Sequence, residues 1–295
     1  MKCFDSTELN ISAFVADSLK DILAGSFLGE VLMVNSAGIY LRAGERIILL
    51  CDAANGYLPM GVATDSFKSL NNLLRLSTGD RFSCRYNSFF FSRGVLRVAP
   101  RYSREYNARA LKPKALRISE AAAELASLGR TSGISILVRP LIIGETDSSI
   151  VSVNPYCESA YSKLLRLLSA LCSGDTDCVR SSVAELLGLG IGLTPSADDV
   201  MSGMLYVFKR MGDTAAPAIH SFEDELLRLC DSRTNSVSAA YFKAIASGDR
   251  YEAMEHVLFG LCGEERLDVS RLTRIGSSSG CEMLLGMLCA LKVLG

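Results

Sequence analysis

The spacing of apolar residues changes along the chain, and that change divides it. Over residues 8–24, Leu9, Ile11, Phe14, Val15, Leu19, Ile22 and Leu23 recur at helical intervals and predict a helix. The period then shortens. Residues 30–34, 38–41, 46–51, 80–86, 89–91 and 95–98 are short β-type runs, separated by turn residues such as Asn35-Ser-Ala-Gly38 and Ser92-Arg-Gly94. Residues 57–62 read as a further strand or a loop, and residues 70–76 as a short helix. About six or seven short strands within residues 30–100 predict a small antiparallel sheet or barrel.

From Ile118 onward the pattern is helical. Residues 119–128 are alanine-rich, and the apolar run 134–143 is too short for periodicity to settle. Residues 156–172 carry a strong stripe of Leu164, Leu165, Leu167, Leu168 and Leu171. Asp175 or Asp177 caps a following helix that runs to Leu187. Further helices are predicted over 197–211, 220–230, 235–246, 251–261 and 267–274. A last one over 281–294 has only Glu282 and Lys292 as charges and is expected to be buried on most sides. The reading is therefore α+β: a small N-terminal antiparallel β-rich barrel or sheet over residues 1–115, followed by a larger α-helical domain over 116–295, with Lys112-Pro113-Lys114 as connector.

The helical part is organised around Gly188-Leu-Gly190-Ile-Gly192-Leu-Thr194-Pro195-Ser196-Ala-Asp198-Asp199, a glycine-rich loop running into a helix start. Such a start leaves about four backbone N–H groups without helical partners and carries partial positive charge. Glycines ahead of it allow close approach of a ligand, so the junction is a candidate anion site. Thr194 can be the N-cap with Pro195 in the first turn, or Ser196 can be the N-cap with Asp199 closing a capping box. With Asp198 and Asp199 at the helix end, a purely structural cap is the competing reading. No Gly-Lys-Ser/Thr follows, so this is not a Walker A loop.

The design recurs near the C-terminus. Residues 196–205 align without a gap with residues 279–288, matching Ser196 to Ser279, Asp199 to Glu282 and Gly203-Met204-Leu205 to Gly286-Met287-Leu288. The second copy follows Gly276-Ser277-Ser278-Ser279-Gly280, and Ser279 with Glu282 reads as a capping box. Glycine inside a helix costs about 0.5–1 kcal/mol relative to alanine. Close approach of the two helices across Gly203 and Gly286 would offset that cost, and would bring both loops to one pocket.

Composition narrows the function classes. Hydrophobic residues make up 49% and charged residues 21%, a globular balance, and the formal net charge of -1 argues against nucleic-acid binding. The ten cysteines include no C-x-x-C pair, and with only His220 and His256 as histidines a zinc cluster is not expected. Residues 1–30 lack a secretory signal and no run is long enough for a membrane helix, so the thiols are read as reduced and the protein as cytoplasmic. Arg97, Arg101, Arg104 and Arg109 are scattered and read as a solvated face.

Arg233 precedes Thr234-Asn235-Ser236 at a helix start, and its guanidinium suits a carboxylate or phosphate. Thr234 or Asn235 as N-cap is the structural alternative. Asp198 and Asp199 could instead hold a Mg²⁺ ion bridging a phosphate; no other cofactor is expected. Ser277, Ser278 and Ser279 have no histidine base beside them in sequence, which does not support a serine-hydrolase triad.

The stretch from Gly188 to Asp199 closely resembles a motif of a bacterial family that includes the AllH-type subunit of oxamate carbamoyltransferase, from anaerobic allantoin catabolism. Thr234-Asn235 to Ser238, and Ala246-Ser-Gly248, resemble the segment between that motif and the C-terminal loop. The resemblance covers roughly residues 180–295 and extends to the β-rich part only in general layout. It departs at Ile191, where the family pattern has proline, at Ala197, where it has glycine, and at Ser277, where it has histidine.

The resemblance implies a role in converting oxalurate and phosphate into oxamate and carbamoyl phosphate, together with other carbamoyltransferase subunits; a homo-oligomer is left open. On this reading Gly190, Gly192, Thr194 and Ser196 hold the anionic substrate from one side and Ser277, Ser278, Ser279 and Gly280 from the other, with Arg233 and Asn235 nearby. Asp198 or Asp199 orients an amide NH2 and is the candidate catalytic group. The rival reading is a non-catalytic assembly or ligand-sensing subunit. A free-standing phosphotransferase is weighed down by the missing loop lysine.

Overall fold

The computed structural model describes residues 7–35, 38–102, 111–128, 133–145, 147–211 and 216–295. They form two compact units. One comprises Met1–Tyr106 with Ser247–Glu252, the other Asn107–Ala246 with Ala253–Gly295.

The first unit holds eight strands: β1 (Thr7–Val15), β2 (Ser26–Val34), β3 (Ile39–Ala43), β4 (Arg46–Asp52), β5 (Gly61–Thr64), β6 (Arg81–Arg85), β7 (Ser88–Phe91) and β8 (Gly94–Tyr102). Two short helices, α1 (Lys20–Ala24) and α2 (Phe67–Leu74), interrupt them. The strands close into a barrel in the order β1-β5-β4-β3-β2-β6-β7-β8.

This overturns the expected small antiparallel sheet or barrel. The ring is closed, and two of its pairings are parallel, β1 with β8 and β4 with β5. The β1–β8 pair runs in register from Thr7 opposite Gly94 to Val15 opposite Tyr102, and it is this long parallel seam that removes the free edges. The helix expected over residues 8–24 is corrected with it. Ile11, Ala13 and Val15 are buried while Glu8, Asn10 and Ser12 are exposed, which is the alternation of a strand. Helical turns begin only at Asp17. Arg101 stacks on the Phe14 ring at 4.1 Å and Arg97 pairs with Glu8, whereas Arg104 and Arg109 lie outside the described residues.

Residues 247–252, between two helices of the other unit, join the barrel through Asp249. Asp249 is 2% exposed and accepts hydrogen bonds from the Ser18 N–H (2.8 Å), the Ser18 hydroxyl (2.6 Å) and the Met60 N–H (2.9 Å). Met60 has φ of 52°, a conformation uncommon outside glycine, and its bond to Asp249 helps hold it there. Asp249→Ala leaves three donors facing a cavity. It is expected to destabilise the barrel unit by about 3 kcal/mol or more, measurable as a shifted urea midpoint.

The second unit contains α3 (Ala115–Ser127), α4 (Ser148–Val151), α5 (Pro155–Ser173), α6 (Thr176–Leu186), α7 (Ser196–Met211), α8 (Pro217–Arg233), α9 (Ser236–Ala246), α10 (Glu252–Cys262), α11 (Ser270–Thr273) and α12 (Ser279–Leu294). The ambiguous run 134–143 is a 3-10 turn followed by a wide π-type turn over Arg139–Ile143, with Lys292 donating to the Leu141 carbonyl at 2.7 Å. Asn154, Asp175 and Asn235 cap α5, α6 and α9 through their side-chain oxygens, which fixes where these helices start. Helix α12 is buried from Gly280 to Leu291, and α7 from Ser196 to Phe208, so these two form the centre of the unit.

Their packing explains the mid-helix glycines. A Cβ on Gly203 would stand 2.1 Å from the Met283 carbonyl oxygen, and one on Gly286 would stand 1.9 Å from that of Val200. Under the ungapped alignment Val200 matches Met283 and Gly203 matches Gly286, so the two contacts are the same contact with the helices exchanged. The internal repeat is thus a local two-fold relation, made possible by backbones that touch where only hydrogen fits.

Among the described residues no disulfide forms. Burial pushes the thiols of Cys51 and Cys289 up to about 12, which leaves them unreactive near neutral pH.

Candidate functional site

The two helix starts meet directly. The Thr194 hydroxyl ahead of α7 lies 3.0 Å from the Ser279 hydroxyl at the start of α12, and it donates to the Asp199 carboxylate at 2.9 Å. Behind these hydroxyls stand Asp199 and Glu282, the pair matched by the internal repeat, each only 1% exposed. Glu282 accepts the Ser278 hydroxyl at 3.2 Å and the Ile134 N–H at 3.0 Å. Gly133 makes room for it, since a Cβ there would meet the Glu282 Oε1 at 2.0 Å. Asn154 fixes the Gly133 loop by donating to its carbonyl at 2.9 Å.

Electrostatics at this cluster are unusual. Burial raises the Asp199 carboxyl well above the usual 3.8 of an aspartate, and the neighbouring Glu282 charge raises it further, against the lowering effect of Ser279 and Thr194. Both charged groups acting on it, Glu282 and Asp198, are negative. Two buried carboxyls in one place are costly when both are ionised, so the cluster favours holding a proton.

Asp198 has a different environment. It accepts the Gly188 N–H at 2.8 Å and a hydrogen bond from the Thr234 hydroxyl. Burial raises its carboxyl above the ordinary value despite these donors. Asp198 therefore locks the glycine loop to the start of α9, while Asp199 faces the paired hydroxyls. The two carboxylates engage different partners on different elements. Among the described residues no group of three or more His, Cys, Asp or Glu is placed to hold a metal ion.

The glycines of the loop serve distinct ends. Gly188 (φ 78°) and Gly190 (φ 130°) allow close backbone approach, because a Cβ would stand 2.4 Å from the Arg233 carbonyl oxygen and 2.3 Å from the Ser196 nitrogen respectively. Gly192 (φ 100°) is exposed with open space around the Cβ position, so its glycine is required by conformation alone.

Neither proposed capping arrangement describes α7. The helix begins at Ser196, and the Pro195 carbonyl accepts the N–H groups of Asp198 and Asp199. Asp199 takes the Thr194 hydroxyl rather than closing a box with Ser196. The Ser279–Glu282 box is absent too: Ser278 is the α12 N-cap and Glu282 reaches across to Ile134. Many helix-start amides are already engaged. Ala197 donates to Leu189, Gly280 to Ile275, and Cys281 and Glu282 to Ser278. The donors that distinguish the site are therefore the hydroxyls more than a ring of open N–H groups.

The remaining sequence candidates fall around this cluster unequally. Ser278 and Ser279 belong to it, and Ser277 is exposed on the loop beside it. Gly280 is a packing residue, since a Cβ would stand 1.8 Å from the Leu272 carbonyl oxygen. Asn235 uses its side-chain oxygen as the α9 cap, and the Arg233 side chain is exposed at the end of α8. It is Thr234, between them, that reaches Asp198. Glu282 and Thr234 were not singled out as site residues from the sequence. Glu282 was signalled by its match to Asp199 in the repeat, Thr234 only by belonging to the resembling segment.

Residues 186–291 match the family model described as oxamate carbamoyltransferase subunit AllH. The match spans both loop–helix starts and the elements between them, and none of the eight strands. It bears out the resemblance to the AllH family on that segment. No solved structure matches the chain. Among the described residues no helix is long and apolar enough to cross a membrane.

Proposed function

We propose that this protein is a subunit of an oxamate carbamoyltransferase-like complex, and that the junction of α7 and α12 holds the carbamoyl-bearing substrate. The observation that carries the proposal is the meeting of Thr194 and Ser279 over the buried Asp199–Glu282 pair. Two buried carboxyls repel an anion, so the end of the substrate placed against them is its neutral, NH2-bearing end. A carboxyl can accept a hydrogen bond from such an amide or, when protonated, donate one. The charged end of oxalurate, oxamate or carbamoyl phosphate then faces the flanking loops at Gly190–Gly192 and Ser277–Ser278.

The chemistry gives Asp199 a task. When phosphate attacks the carbamoyl carbon of oxalurate, the bond to the oxamate nitrogen breaks and that nitrogen must gain a proton. A carboxyl whose hold on its proton is strengthened by burial is suited to supply it. Glu282 raises the Asp199 carboxyl further, after burial, and is a positioning residue, while Asp198 maintains the loop through Gly188 and Thr234.

Calorimetry with the full-length chain, alone and with partner subunits, tests the reading. Oxamate, oxalurate or carbamoyl phosphate is expected to bind with measurable heat, and Ser279→Ala is expected to weaken that binding about tenfold, the equivalent of one lost hydrogen bond to a charged or polar partner. No binding of any of these compounds, with or without partners, would contradict it.

A further inference from the structure

The barrel carries a second candidate site, independent of the carbamoyl reading. A groove of about 500 Å³ lies on its outer face, lined by Ser26, Phe27, Leu28, Ser83, Arg85 and Phe90 among others. Leu28 is opposite Ser83, and Ser83 is opposite Phe90, so these side chains form one row across β2, β6 and β7. Outward positions of an antiparallel ladder are normally polar. Here Leu28 is 79% exposed and Phe90 36%, giving the groove two apolar walls.

The charges point to the chemistry of the occupant. Two arginines of the same barrel are matched by carboxylates: Arg42 pairs with Glu30 and Arg97 pairs with Glu8. Arg85 differs. Its cross-strand neighbours are Ser26 and Ser88, and among the described residues it has no ion-pair partner. A guanidinium that sits beside hydroxyl donors and an apolar wall is complementary to a carboxylate attached to a hydrocarbon body.

We propose that this groove binds an organic acid, with its aliphatic or aromatic body between Leu28 and Phe90 and its carboxylate on Arg85. The barrel is then a ligand-binding module, in addition to its role as part of the scaffold.

The test uses the full-length, nitrogen-15-labelled protein titrated with phenylacetate and hexanoate, with inorganic phosphate and hexylamine as controls. Saturable shifts are expected at Ser83, Arg85 and Phe90, with a dissociation constant on the order of 1 mM or below. Arg85→Gln is expected to weaken binding about tenfold, and Leu28→Asn several-fold; both positions are exposed, so the melting temperature should stay unchanged. Three results would overturn the proposal: no saturation up to about 10 mM, equal affinity in Arg85→Gln, or inorganic phosphate or hexylamine producing the same shifts as strongly as the organic acids.

Discussion

Placing alanine at both Gly203 and Gly286 is expected to unfold the helical unit or reduce it to a loosely packed state. Each new methyl would press into a backbone carbonyl, of Met283 in one case and Val200 in the other, at about half a normal contact distance. A main-chain atom inside a buried helix cannot rotate away as a side chain can. Overpacking of this kind costs about 1–3 kcal/mol at a single site, and more where only backbone can yield. The two positions share one interface, so their effects should not add simply. The loss is expected in chemical denaturation followed by far-ultraviolet circular dichroism, with Gly192→Ala as contrast. Gly192 has open space around it, and its substitution strains only the local backbone.

Asp199→Asn should give the opposite sign in stability and a large loss in function. The folded-state carboxyl of Asp199 is raised by burial first and by Glu282 second. A raised carboxyl contributes stability that is fully present below its unfolded value, near 3.8, and is lost as pH rises through the folded value. The wild-type helical unit should therefore lose stability between acid and neutral pH through this group, with Asp198, also raised, adding in the same direction. The asparagine variant cannot ionise. Its melting temperature at neutral pH should rise, by about 2–4 °C for each kcal/mol regained, and its decline with pH should be shallower. The asparagine oxygen can still accept the Thr194 hydroxyl, so the site keeps its shape. Turnover in the assembled complex should nonetheless fall about a hundredfold or more, as when a general acid is removed. A stabler, inactive variant is the signature of a buried acid kept for chemistry. A variant of unchanged turnover would assign Asp199 to the scaffold.

The parts of this molecule that were legible in the sequence are those set by local pattern. The stripe of leucines in residues 156–172, the near absence of charge over residues 281–294 and the repeat of Gly203-Met-Leu at Gly286-Met-Leu each led to the observed helices and to their contact. What failed was of two kinds. Strand β1 was hidden because Phe14 and Val15 are adjacent apolar residues that lead into Leu19, Ile22 and Leu23, so two elements of different period read as one long helix. Barrel closure depends on β1 pairing in parallel with β8, some ninety residues away, and no local pattern encodes a pairing between strands so distant. At the site, capping signatures were present as letters but used otherwise. Asp199 and Glu282 lie where capping residues stand, yet both turn inward toward hydroxyls and a distant amide, because the partner helix sits where water would.

The central claim is that Thr194 and Ser279, one from each helix start, act on the same bound molecule. A double-mutant cycle reads this directly: oxamate affinity measured for wild type, Thr194→Val, Ser279→Ala and the pair. Strong coupling is predicted, with either single substitution removing nearly as much affinity as both together. Free-energy changes that add to within about 0.5 kcal/mol, or an affinity that neither substitution alters, would contradict the account.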